Sequence, residues 1–457
     1  MLTELEYRPD TTQAVRSLLD WPYCVFLDSG RGSAFAGRYD IVAARPYATL
    51  TTRGTETEVR SRGRIEISCR DPLDLLREQL GSAARNETGL PFAGGAIGYF
   101  AYDLGRRFER FDGDAERDIE LPEMQIGLYD WALVVDHAER RSFVVSAGRD
   151  PATSERWNEI LERLGAPNPK PRPVFEVTSR VRSNFDLGTY GDAFARVQDH
   201  IRRGDCYQVN LAQRFEASVR GDSWNAFEAL RQLSPAPFSA YLSSPHGDVL
   251  CSSPERFLEV DGDVVETKPI KGTRPRGRDA ALDRALAHEL ATSMKDRAEN
   301  VMIVDLLRND LGKVCVAGSV KVSKLFEIES FAHVHHLVST VTGRLAPDRD
   351  VLDLIRGCFP GGSITGAPKV RAMQIIDSIE PQRRSVYCGS IGYIGFDRRM
   401  DTNIAIRTLV RCGDSIYAWA GGGIVADSDV ESEFQESLDK AAGLLGVLAN
   451  SSISAAS

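Results

Sequence analysis

Runs with the apolar pattern of β-strands stand at both ends of this 457-residue chain, and helical periodicity fills much of the stretch between them. YDIVAARPYATLTT (39 to 52) and WALVVDHAERRSFVVSAG (131 to 148) are strand-like, the second predicting a hairpin around a polar turn. Strand patterns return in SVYCGSIGYIGFD, TNIAIRTLV and SIYAWAGGGIV (385 to 425). Between them, YGDAFARVQDHIRRGD (190 to 205) has helical spacing, Leu282, Leu286, Leu290 and Met294 recur every fourth position, and FQESLDKAAGLLGVL (434 to 448) predicts a closing amphipathic helix. Such a mixture predicts an α+β architecture. A segment carrying four prolines, GAPNPKPRPVF (165 to 175), favours an extended connector, so the chain divides into 1–165, a linker at 166–180 and 181–450. GGAIGYFAYD (94 to 103) echoes CGSIGYIGFD (388 to 397), which is either a trace of duplication or two unrelated strands using similar residues.

Several function classes are disfavoured by charge and patterning. The net charge of −9 leaves no basic footprint for nucleic acid or an anionic membrane. The start MLTELEYRPDTTQ lacks the apolar stretch of a signal peptide, and no run has the apolar length of a membrane span, so a cytoplasmic location is expected. The eight cysteines are scattered without a CxxC pair, which predicts reduced and mostly buried thiols.

Chemistry is suggested in four places. Asp296 and Glu299 in KDRAENVMIVDLLRNDLG, and Glu433 with Glu436, are i, i+3 acid pairs; each pair shares a helix face, and together they offer hard oxygen ligands suited to Mg²⁺. Either pair alone reads equally as a solvated charged face. FPGGSITGAPK (359 to 369) and AGGGIVADSD (420 to 429) are glycine-rich turns that either bind a ligand closely through backbone or simply turn tightly. Arg407 and Lys440 are candidate carboxylate binders, while His336 and Tyr387 are unremarkable taken singly. Lys271, in ETKPIKGTRPRG, lies between Pro269 and Gly272, a turn able to aim one side chain; desolvation there would make its amine a nucleophile, and Glu255 in SSPERF becomes a general acid if burial raises its pKa.

Taken together, YQVNLAQRF (207 to 215), SSPERF, PIKGT, AENVMIVDLLRNDLG, HHLVST, PGGSITGAPK and GGGIVADSD resemble the chorismate-binding enzymes across residues 185 to 445. The resemblance implies that family's four-layer α/β/β/α fold, with two large packed antiparallel sheets and helices outside. It implies Glu299 and Glu436 as direct magnesium ligands, Asp296 and Glu433 as outer ones, and Gly272, Thr273, Tyr387, Arg407, Gly423 and Lys440 as the contacts to chorismate, with His336 on the reacting C4 side. A lysine in the PIxGT motif, here Lys271, resembles the members that aminate C4 rather than those forming anthranilate, and Gln208 stands where water-adding members carry a basic lysine. The implied reaction is amination of chorismate to 4-amino-4-deoxychorismate, on the route to 4-aminobenzoate and folate. Its ammonia would come from a separate glutamine amidotransferase subunit, because no amidotransferase signature is present. Asp28, Ser29, Pro235 and Phe238 match a tryptophan pocket found in relatives, although Ser234 replaces a usual asparagine.

Overall fold

The computed structural model describes residues 1–30, 37–109, 113–165, 170–331 and 334–451. Its strands form two sheets, one of 13 strands and one of 12, paired antiparallel throughout their named ladders. The hairpin over 131 to 148 is present as Trp131–Asp136 paired with Arg141–Ser146. YDIVAARPYATLTT breaks instead into two strands, Tyr39–Ala43 in the larger sheet and Ala48–Arg53 in the smaller, so this short stretch carries the chain from one layer to the other.

Alternation along the strands builds two cores at once, because successive side chains point to opposite faces. Val25 and Ile41 join the core that includes strands of both sheets; their neighbours Phe26 and Val42 belong to a second core with Trp224, Phe227 and Leu444 of the covering helices. Sheets buried on both faces explain unbroken apolar runs such as WALVVD. Helices Leu187–Arg202, Lys369–Ile379 and Val430–Asn450 cover the larger sheet, while Pro72–Leu80, Ala280–Thr292, Met294–Gly312 and Val351–Cys358 lie with the smaller. This is the expected layered arrangement.

The echoed segments are neighbours. Gly95–Phe100 and Ser390–Gly395 pair antiparallel in the smaller sheet with Gly98 opposite Gly392, so equivalent residues of the two segments are related by a local two-fold axis between those glycines. A Cβ on Gly98 would lie 2.0 Å from the Gln125 carbonyl oxygen and one on Gly392 2.1 Å from that of Asp401. Each glycine thus admits the next strand on its own side.

One expectation changes. The leucines from 282 to 294 do not form one stripe: the helix Ala280–Thr292 ends at Ser293, which also caps Met294–Gly312. Four-residue steps drift by about 40° each on a 3.6-residue helix, and in fact Leu290 is buried while Leu282 and Met294 are exposed. Of the proposed linker, residues 166–169 lie outside the described residues, 170–175 have no regular structure and Glu176–Val177 already pair in the larger sheet. Strands from both sides of it enter both sheets. Of the eight cysteines, six are buried, Cys69 is exposed and Cys412 intermediate, and all are free. Among the described residues no helix is long and apolar enough to cross a membrane.

Candidate functional site

Lys271 is aimed by a defect in the smaller sheet. The strand Ile270–Pro275 pairs with Val334–Arg344, but Ile270 opposes Val338 and Thr273 opposes His336, so Lys271 and Gly272 together face one partner residue. Such a bulge re-aims a side chain. Gly272 adopts φ +83°, and a Cβ there would lie 2.9 Å from Asp296 Oδ1, so both backbone and space require glycine. The Lys271 amine donates to the Ser363 carbonyl at 3.0 Å. Loss of hydration lowers its pKa against the attraction of Glu255, and the charge of Lys440 adds to the lowering.

Glu255 is buried and its pKa moves the other way. Burial raises it, opposed by a hydrogen bond from Ser363 and by the charge of Lys271. One residue, Ser363, therefore contacts both groups. An amine that sheds its proton readily and a carboxyl that keeps one are the two protonation states that nucleophilic attack and leaving-group protonation require.

Carboxylates gather from two helices. Burial raises the Glu299 pKa; Lys271 and Lys295 oppose this, and Asp296 and Glu436 reinforce it. Glu433 is buried and raised likewise, while accepting a 2.6 Å hydrogen bond from Ser428 Oγ. At Glu436 burial is outweighed by Lys440, 2.6 Å away, with help from Lys295 and Lys271, so its pKa falls. Asp296 departs from this group: Arg274 holds it at 3.1 Å while also binding Glu289. Among the described residues no three ligating side chains are already gathered as a metal site. The burial and neighbouring carboxylates that raise the pKa of Glu299 and Glu433 are what a hard divalent cation would offset, and the all-oxygen donors suit Mg²⁺. The fit rests on Glu299, Glu433 and Glu436, with Asp296 engaged elsewhere.

The anion-binding candidates divide similarly. Arg407, at φ +50°, has no carboxylate beside it among the described residues, and loss of hydration lowers its pKa. Its charge acts on His336, whose pKa burial has pushed down to about 3, so that imidazole is neutral at ordinary pH and exchanges a 2.8 Å hydrogen bond with the Thr273 hydroxyl. Tyr387 stacks on Trp419 with ring centroids 6.1 Å apart. Side chains approach the three-glycine strand closely on both faces: a Cβ on Gly422 would lie 2.8 Å from Glu433 Oε2, and one on Gly423 2.4 Å from Gln208 Nε2. Gln208 is fully buried, and among the described residues neither polar atom of its amide has a partner. Lys440, besides Glu436, donates to the Gly421 carbonyl at 3.1 Å.

A separate cavity of about 630 Å³ is lined by Asp28, Ser29 and Phe238, together with Tyr39, Arg256 and Met400; Pro235 is not part of its wall. Arg231 holds Asp28 at 2.6 Å, and burial first, then neighbouring Asp40, raise the Asp28 pKa to about 6. Ser29 donates to Asp40. Asp28 and Ser29 are thus held by Arg231 and Asp40 while lining the cavity.

Sequence reasoning missed the groups that hold the site in place. Ser363, Arg274, Lys295 and the buried pair Glu380–Arg384 carry no signal of their own. The one clue, the i, i+4 spacing of Glu380 and Arg384, is also that of any surface ion pair.

Comparisons with known proteins identify the family. The family model described as chorismate binding enzyme matches residues 23–446. Aminodeoxychorismate synthase component 1 of Salmonella typhimurium is 50% identical over 450 residues, covering 98% of each chain. Its namesake from Escherichia coli K12 is 50% identical over 440 residues, covering 95% of this chain and 96% of that one. Among solved structures, anthranilate synthase component I of Streptococcus pneumoniae superposes with a TM-score of 0.80 at 32% identity, over 89% of this chain and 91% of the other.

Proposed function

The chain belongs to the chorismate-binding enzymes, and on that premise we propose that its site replaces the C4 hydroxyl of chorismate by an amino group, giving 4-amino-4-deoxychorismate with the enolpyruvyl group retained. The observation that carries this reading is the opposed pair joined at Ser363: Lys271, inclined to be neutral, and Glu255, inclined to be protonated.

Arg407 and Lys440 receive the two carboxylates of the substrate, and Tyr387, Thr273 and the backbone at Gly423 bound its ring. Glu299, Glu433 and Glu436 would hold Mg²⁺, which when bound neutralises a substrate carboxylate and orients the ring. Lys271 gives its lone pair to C2 while Glu255 gives its proton to the C4 oxygen. A C2–N bond forms, the ring double bonds shift, the C4–O bond breaks and water leaves. Ammonia bonds at C4, the double bonds shift back, Lys271 departs as the free amine, and Glu255 recovers the surplus proton from the new ammonium. The neutral His336 adds no competing charge beside the reacting carbons. Gln208, an amide, supplies no base to activate water instead.

The ammonia donor in this reading is a glutamine amidotransferase subunit, in keeping with the "component 1" in the relatives' names, and the free thiols accord with work in the cytoplasm. Tryptophan binding is assigned to the cavity bounded by Asp28, Ser29 and Phe238, supported by its size and checked by equilibrium titration. Incubation with chorismate, Mg²⁺ and ammonium, followed by mass spectrometry, tests the main reading. The expected product carries nitrogen and keeps the enolpyruvyl group; fluorescent anthranilate, or a nitrogen-free isomer of chorismate, would overturn it.

A further inference from the structure

Arg384 is the largest charged side chain sealed completely inside the protein, and all its bonds end on segments that carry the site. Its Nε and Nη2 bind Glu380 at 2.9 and 2.6 Å, Nη1 donates to the Ile364 carbonyl at 3.0 Å and Nη2 to the Asn210 carbonyl at 2.8 Å. Its guanidinium lies over the rings of Tyr102 and Tyr387, 5.0 and 5.9 Å from their centroids. Glu380 in turn accepts the Ala212 amide at 2.9 Å. Three chain segments meet here: the strand Gln208–Arg220, the turn Gly361–Thr365 and the stretch leading to Tyr387.

The turn links this clamp to the reacting groups. Ile364, held by Arg384, follows Ser363, whose carbonyl accepts the Lys271 amine and whose side chain reaches Glu255. The next residue, Thr365, accepts the Asn210 amide at 2.8 Å, closing a loop back to the clamped strand. Burying a guanidinium is costly unless its donors are met, and a fork with fixed angles makes these four bonds only when the three segments stand in one arrangement.

We propose that Arg384, paired with Glu380, is a positioning residue that sets the Lys271 amine and the Glu255 carboxyl against each other by fixing the turn at Ser363–Ile364. It touches no substrate atom itself. The inference rests on the reading of Lys271 as the attacking amine. Lysine at position 384 keeps the charge for Glu380 but cannot reach Ile364 and Asn210 at the same time, so the ion pair survives and the turn is released.

The test is a double-mutant cycle in ammonium-driven amination, with R384K placed in the parent and in K271A. In the parent, R384K should lower kcat by about 30-fold and leave the KM for chorismate within about two-fold, because Arg407 and Lys440 are untouched. In K271A the same change should cost less than about three-fold, since only Glu255, with no amine to be set against, is left to position. A second readout needs no catalysis: acetylation of Lys271 by acetic anhydride, followed by peptide mass spectrometry with Lys268 as internal reference, should change by at least about five-fold in R384K. Equal losses of kcat in both backgrounds, or an unaltered labelling rate, would overturn the proposal. Full activity of K271A would instead remove the reading of Lys271 as nucleophile while the labelling experiment still judged the clamp. E380Q, which keeps the shape of the acceptor, serves as the second variant and should show the same pattern; failure of both variants to fold would make the pair a determinant of folding and overturn its role in positioning.

Discussion

At the scale of single residues, the proposed chemistry draws on protonation preferences that the surroundings shift against ordinary habit. Removing water from the Lys271 amine favours its neutral form, and removing it from Glu255 favours the acid form. Amination therefore should follow a bell-shaped pH profile whose acidic limb, the protonation of Lys271, lies below the range of ordinary lysines, and whose basic limb, the ionisation of Glu255, lies above that of ordinary carboxyls. Measuring kcat/KM across pH checks this, and E255Q should abolish the basic limb while lowering kcat by about 10²- to 10⁴-fold. In the proposed reaction Arg407 belongs to binding rather than bond-making. Arg407→Lys gives up the two-pronged grip on a carboxylate, so steady-state kinetics should show KM for chorismate rising about ten-fold or more with kcat little changed. The identities of these residues were legible in the sequence because their motifs are local. Their engagements were not: Asp296 shares a helix face with Glu299 as expected, yet Arg274, distant from it in the chain, takes its carboxylate, and nothing in i, i+3 spacing reveals a partner supplied by another strand.

At the scale of elements, helices are placed by buried charge as much as by apolar faces. Met294–Gly312, which carries Asp296 and Glu299, is pinned near its far end by Asp310, buried and held by Lys369 at 2.5 Å and Lys313 at 2.9 Å. Lys369 also donates to the Cys358 carbonyl, so one amine joins the starts or ends of three helices. Lys369→Met leaves Asp310 with one exposed partner and should lower stability by about 3 kcal/mol, read as a lower denaturation midpoint with an unchanged slope. The periodicities that reveal helices and strands come from apolar residues, which explains why the hairpin at 131 to 148 and the closing helix stood out beforehand. Nothing in those periodicities marks Lys369 and Asp310 as partners. Likewise the break at Ser293 is set by a cap and by Gly272 packing against Asp296, both of which depend on chain segments meeting in space.

At the scale of the whole molecule, the pairing of the echoed segments and the interleaving of strands bear on how the chain can be divided. The strands Gly95–Phe100 and Ser390–Gly395, nearly 300 positions apart, are adjacent at the centre of the smaller sheet, and Val25–Asp28 pairs with Phe238–Ser244 in the larger. A proline-rich segment marks a composition boundary, but composition reports only local stiffness; it carries no information about which strands pair across it. Cutting the chain at 165 would expose the edge of Val25–Asp28 in one fragment and of Phe238–Ser244 in the other, and would strip Gly95–Phe100 of its partner at the local two-fold axis. Fragments 1–165 and 181–457 produced separately should thus lack a cooperative thermal transition and expose apolar surface to a hydrophobic dye, whereas their co-expression should recover protected amides in both central strands by hydrogen exchange. If either fragment alone melted cooperatively with protected central amides, the two sheets would be assemblies of separable halves, and the site, whose Lys271 and Glu255 both come from after the cut, would not need the front third to form.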